Sequence, residues 1–256
     1  MQNWTLRKER ECAECAAERD RRCCVLKDTE TDKQKYVKDP FDAAPYVHPF
    51  RHPSFHATQL RAIVFAKNKA RRLLWVTAHD MIGNKNLVHG AEHKQEARKE
   101  RWLEFHDRFT GGIPGLLPLV LDLPIRFTES IGKKAREMGV FKHSRGYIRG
   151  WVLPDAEIAR LAVIDDKEVV LQIRPTKLLI EVETATKLMP VVDGKSIFEL
   201  TVQAKPWSLD RDGNVRMTRL GFPIVPDFGG TAHAYCGSTM PAALGDLLPW
   251  YRNTEH

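Results

Sequence analysis

Between residues 146 and 207 the chain is cut into short apolar runs, YIRGWVL, LAVIDD, EVVLQI, KLLIEVET and SIFELTV, separated by turn-forming residues. Runs of this length, rich in β-branched residues, fit a pleated surface better than separate helices. Strands so close in sequence pair with their neighbours, so a small all-β unit is expected over 146–215.

The flanks follow another pattern. From Phe41 a strand candidate (AAPYVHPF) leads through a Pro/His-rich turn to an amphipathic helix over 56–69 and a second strand over 73–78 (LLWVTA). Residues 86–108 read as a polar helix. In GGIPGLLPLVLDLPIRFTES, Gly and Pro punctuate a hairpin-like passage that ends in the strand PIRFT. Residues 216–256 return to strand-turn-helix-strand character. Alternation of strand and helix implies an α/β fold with a parallel sheet. The expected organisation is a charged helical arm over 1–40, an α/β part over 41–145, the β insertion over 146–215 and a return to the α/β part over 216–256.

Composition narrows the partners. With 43% hydrophobic residues the chain can bury a sizeable core, which excludes wholesale disorder. No apolar run approaches the ~20 residues that a membrane helix needs, so no membrane partner is expected. The formal charge of +7 favours polyanions. Residues 1–110 hold 22 Lys+Arg against 16 Asp+Glu and 111–256 hold 18 against 17, so the positive field belongs to the N-terminal part. Cys12, Cys15, Cys23 and Cys24 do not make a spaced disulfide framework, and Arg7, Lys8 and Arg10 are unlike a signal peptide. An intracellular, reduced protein is expected, with the cysteines as helix residues or a metal cluster.

Several constellations could carry chemistry. His89-Gly-Ala-Glu92-His93 is an H-x-x-E-H string: His89 and His93 would share a helix face and bind zinc, with Glu92 as general base and Glu168 as third ligand. That would make a zinc metallopeptidase. Against it stand a polar, basic helix and the Gly90 within it. His48, His52 and His56 are spaced by four, but Pro49 and Pro53 oppose a continuous helix. Leu161-Ala-Val-Ile-Asp165-Asp166 reads as a strand ending in an acidic turn; no G-x-x-x-x-G-K-[ST] is present to pair with it as a nucleotide site. In the C-terminal part, 222–225 reads as a strand, Asp227 as a helix cap, and Gly229-Gly230-Thr231-Ala-His233 as a first turn whose free N–H groups would suit a phosphate.

The longer string Arg219-Leu-Gly-Phe222-Pro223-Ile-Val-Pro-Asp-Phe228-Gly-Gly-Thr231-Ala-His233-Ala-Tyr-Cys-Gly237-Ser-Thr239 resembles motif V of superfamily 1 DNA helicases of the RecD/Pif class, in the P-loop NTPase superfamily. AAPYVHPF resembles the family's motif IV, LLWVTAHD the strand that follows it, and GIPGLLPLVLDLPIRFTESIGKKAREMGVFKHSRGYIRG the segment before its small β-barrel. The resemblance implies a RecA-like parallel sheet with helices, interrupted by a small barrel-like all-β insertion. It implies that Gly230, Thr231 and His233 lie along single-stranded DNA, and that Gly237 and Thr239 couple that groove to the nucleotide cleft. Trp75, Trp102, Trp151 and Trp207 could offer stacking faces or be core. Ala234 and Cys236 replace the family's Lys and Gln, and Arg51 its Asn.

The phosphate loop, the Mg-binding motif and the final arginine motif are absent from this sequence. The resemblance therefore implies a fragment, the second motor domain of an ATP-dependent helicase of DNA repair or recombination, nuclear or organellar if eukaryotic. Single-strand binding is expected of it and catalysis is not. ATP and Mg would serve the intact helicase, whose first RecA-like domain a longer chain would supply; no cofactor is expected for this chain alone.

Overall fold

The computed structural model describes residues 44–47, 51–82, 102–209, 215–231, 235 and 242–245, with the backbone alone for 51–56 and 82. In chain order the elements are β1 (Tyr46–Val47), α1 (Arg51–Asn68), β2 (Leu73–Thr77), β3 (His79–Ile82), β4 (Leu116–Leu119), β5 (Pro124–Phe127), α2 (Lys133–Glu137), β6 (Arg145–Val152) and α3 (Asp155–Ala162). There follow β7 (Glu168–Val170), β8 (Lys177–Val182), β9 (Val191–Val192), β10 (Lys195–Thr201), β11 (Gln203–Ser208), β12 (Arg216–Gly221), β13 (Ile224–Pro226), β14 (Gly229–Gly230) and β15 (Leu244–Gly245).

The largest sheet runs β13-β5-β6-β8-β10-β9 and is antiparallel throughout. Its strands are amphipathic with period two: Leu178, Ile180 and Val182 of β8 are buried while Lys177, Leu179 and Glu181 are less so. Ile125, Phe127, Ile148 and Leu200 join them in the main core, each fully buried and contributing about 1.5–3 kcal/mol. α2 ends at a tight turn where Gly139 has φ +93°, and a Cβ there would lie 2.1 Å from the Thr184 carbonyl oxygen. Only glycine fits such a place without strain.

Around this sheet stand three smaller ones. β2 pairs antiparallel with β4 and parallel with β7, and β12 sits between β11 and β3 in an antiparallel sheet. β1 lies between β14 and β15, parallel to both. α1 packs on the main core through Ala62, Phe65 and Ala66, and the Phe65 ring meets Phe228 at 5.5 Å. Spacings of three and four put these residues on one helix face.

The described chain is therefore mostly β, its sheets mixed or antiparallel, where a parallel α/β sheet was expected. Among the described residues, parallel pairing is confined to the short contacts of β1 with β14 and β15 and of β2 with β7. The passage expected to form a hairpin instead parts into two sheets, β4 joining β2 and β5 joining β6 and β13.

Two local expectations are corrected as well. LAVIDD does not form a strand: α3 runs into it, starting behind Pro154 with Asp155 and Glu157 in a first turn that suits negative charge. Its far end is held by Arg72, whose guanidinium donates to the carbonyls of Leu161, Ile164 and Asp166 at 3.1, 2.7 and 3.1 Å. α1 begins at Arg51, earlier than expected, because Pro53 falls in the first turn, where its missing N–H costs no helical bond. His52 and His56 thus stand on one helical backbone, while His48 lies outside the described residues. The expected N-terminal helix with its cysteines, and most of the helix expected over 86–108, also lie outside them. Among the described residues no helix is long and apolar enough to cross a membrane.

Candidate functional site

The motif stretch 219–239 is anchored at its start by a buried ion pair. Arg219 on β12 reaches Asp80 on the adjacent β3 with two bonds, Nε to Oδ1 at 2.8 Å and Nη2 to Oδ2 at 2.7 Å. The remaining donors meet the Trp102 carbonyl at 2.6 Å and the Ile113 carbonyl at 3.3 Å. Trp207 covers the guanidinium at 5.3 Å and donates its indole N–H to Asp80 Oδ1 at 3.1 Å. A buried guanidinium needs this many partners to offset its lost hydration. Trp102 and Trp207 are therefore core residues of a small cluster with Met217, and no stacking face is left on them.

Beyond Phe222 the chain turns into β13 and crosses to β14. Asp227, expected to cap a helix, caps none. Gly229 and Gly230 form the edge strand beside Tyr46 and Val47, and both are buried. Asp227 instead stands in ion pairs, 2.9 Å from Arg145 Nε and 3.3 Å from Arg126 Nη1, and accepts the Tyr235 hydroxyl at 3.2 Å. Both guanidiniums lie 5.3 Å from the centre of the Tyr235 ring. Burial pushes the Asp227 carboxyl up; Arg126, Arg145, the Tyr235 hydroxyl and His143 pull it back without cancelling the rise. Burial also pushes the Tyr235 hydroxyl up, helped by the negative charge of Asp227.

Arg126 and Arg145 face each other directly across β5 and β6. Like charges opposite one another destabilise a sheet. One carboxylate between two guanidiniums leaves a surplus positive charge beside the β13–β14 crossing, and Arg126 Nη2 donates to the Gly229 carbonyl at 3.3 Å. Sequence reasoning missed Arg126, Arg145 and Tyr235 as site residues. The available signal was an arginine inside the apolar strand PIRF and another at the start of RGYIRGWV.

Of the expected contact residues, Gly230 is buried in its strand and Thr231 is half-buried just after it. His233, Gly237 and Thr239 lie outside the described residues. So do His89, Glu92 and His93. Glu168, expected as the third zinc ligand, accepts the Trp75 indole N–H at 2.7 Å at the start of β7, which gives it a structural partner. Among the described residues no group of three His, Cys, Asp or Glu is placed to hold a metal ion. They do not fit a nucleotide either: Asp165 and Asp166 are exposed after α3, with no phosphate-cradling loop beside them.

A concave feature of about 590 Å³ lies over β6, β8 and β10 and is lined by Arg71, Asp122, Arg149, Lys195 and Glu199 among others. Its charges are largely spent on each other. Arg71 meets Asp122 at 2.6 Å, and Arg149 binds both Asp122 and Glu181.

No protein-family model matches the chain, and no curated protein does. Among solved structures it is similar to the Pif1 helicase from Candida albicans, with 15% identity over 88% of this chain and 45% of that one, at a TM-score of 0.45. It is also similar to unliganded Pif1 from Bacteroides sp, with 8% identity over 80% of this chain and 47% of that one, TM-score 0.40. A third is the Bacteroides Pif1 helicase in complex with ADP-AlF3 and ssDNA, with 11% identity over 85% of this chain and 39% of that one, TM-score 0.40. The chain spans less than half the length of each.

Proposed function

We propose that this chain is a helicase-derived nucleic-acid-binding unit, corresponding to the second RecA-like motor domain of a RecD/Pif-class helicase with its β insertion. It would hold the backbone of single-stranded DNA and would not unwind by itself. The observation that carries the reading is the motif stretch: Arg219, Phe222 and Pro223 lock its first half into the core, and the chain then emerges at Gly230 and Thr231 beside a surplus of positive charge. Gly230 lies in the strand that leads to the half-buried Thr231, and the Thr231 hydroxyl and His233 imidazole supply donors for phosphate oxygens. The parallel pairing of β1 with β14, beside the helix α1, supports this reading.

Backbone-directed contacts of this kind make binding sequence-independent and steeply salt-dependent. ATP and Mg would act only where a longer chain brings a first RecA-like domain with its phosphate loop, in an intracellular, reducing compartment. The test is fluorescence anisotropy of the protein with labelled oligo-dT across a salt series. Salt-dependent binding that weakens in a Thr231→Ala/His233→Ala double variant is expected. Absence of binding at low salt rejects autonomous strand binding, and unchanged affinity in the double variant rejects those two contacts.

A further inference from the structure

We propose that Arg145, with Arg126 behind it, forms a preorganised subsite for one phosphate oxyanion next to the β13–β14 crossing. The inference rests on the strand-binding reading for the identity of the ligand, though not for the existence of the subsite.

The two arginines occupy the same register on adjacent strands, so their repulsion is built into the sheet. Asp227 offsets one charge only. The described residues around them divide the donors unequally. Arg126 is nearly buried; its Nη2 is spent on the Gly229 carbonyl, and its Nη1 stands at ion-pair distance from Asp227 without a hydrogen bond. Arg145 is more open, with 23% of its side chain accessible, and its Nε is spent on Asp227.

The terminal nitrogens of Arg145 make no hydrogen bond among the described residues. They form a planar fork oriented by the ion pair of Nε with Asp227 on one side and the Tyr235 ring on the other. A guanidinium held this way loses little side-chain freedom when it takes two oxygens of a phosphate. Asp227 and Tyr235 are positioning residues in this arrangement. Arg126 supplies the second charge that leaves the site net positive after Asp227 has been counted.

Two sources present the same chemistry, a phosphodiester of a strand and a free phosphate group. The experiment separates them. Wild type, Arg145→Gln and Arg145→Lys are titrated against labelled oligo-dT over a salt series, and their melting midpoints are followed with inorganic phosphate against chloride at equal ionic strength. Expected is an affinity about tenfold weaker for the glutamine variant, with a salt dependence reduced by about one counterion. The lysine variant is expected to keep the salt dependence and lose several-fold in affinity, because an ammonium has no fork.

A glutamine variant that binds oligo-dT like wild type overturns the subsite and leaves the strand-binding reading standing. A wild type that ignores oligo-dT, yet is stabilised by phosphate in an Arg145-dependent way, keeps the subsite and removes the strand as its ligand. No response to either probe removes both. If the glutamine variant fails to melt cooperatively, the lysine variant decides, and wild-type affinity in it overturns the proposal.

Discussion

Arg219 and Asp80 form a two-bonded ion pair between neighbouring strands with 0% and 3% of their side chains accessible. It joins the first residue of the motif stretch to the strand that follows β2. The site's position therefore depends on a contact between residues far apart in sequence.

Removing one member of this pair leaves the other charged and buried. Arg219→Met and Asp80→Leu are each expected to cost about 3–5 kcal/mol, while the double variant recovers much of the loss. Urea denaturation of the four proteins checks this. A cost below about 1 kcal/mol in both single variants is incompatible with a buried, unrelieved charge.

Arg72 ties the end of α3 to the strand side of the core through three carbonyls. Arg72→Ala is expected to cost about 1.5–3 kcal/mol, the usual worth of bonds to a charged group. Arg72→Lys should restore only a part, since one ammonium cannot span acceptors on Leu161, Ile164 and Asp166. The urea midpoints of the two variants give the comparison.

Glu157 is buried, and its carboxyl is held below the ordinary 4.5 by the hydrogen bond from Arg160 and by the backbone N–H groups of Gln172 and Ile173, against the effect of burial. A depressed folded value means that its contribution is present above pH 4.5 and is lost as pH falls through the lowered value. Glu157→Gln should therefore lower the urea midpoint at pH 7. As pH falls below 4.5 and through the lowered value the gap to wild type should close, and a gap independent of pH counts against the ion pair.

Asp227 runs the other way. Its raised carboxyl means that the contribution of this group is present at low pH and lost as pH rises through the raised folded value. Protonation leaves Arg126 and Arg145 without a counter-charge, so oligo-dT binding should tighten as pH falls through the raised value. Asp227→Asn should bind more tightly than wild type at pH 7 and show a flatter pH dependence, with His143→Ala as the control for imidazole titration. Anisotropy across a pH series decides it.

Much of the strand content was legible because it rests on local period. KLLIEV alternates along its whole length, and RGYIRGWV does so as far as Ile148, where an irregularity in the pairing breaks the period. α3 was missed because the apolar end of LAVIDD drew attention from Asp155–Ala162, whose acidic first turn and Pro154 mark a helix start. The hairpin expected around PIRFT failed for another reason: its connecting residues permit a tight turn, but which strand pairs with which is decided by distant partners.

The same division holds for the site. By itself the sequence determined a chain with enough apolar residues for a core, short strands in its middle, and a Gly-rich stretch behind Arg219 whose donors would suit a phosphate. Only the tertiary structure decided that Gly229 and Gly230 are a strand where a helix's first turn was expected and that Asp227 caps nothing, that Asp80 neutralises Arg219, and that Arg126 and Arg145 stand side by side around Asp227. Charges on separate strands acquire meaning through register, and register follows from which faces the whole sheet buries.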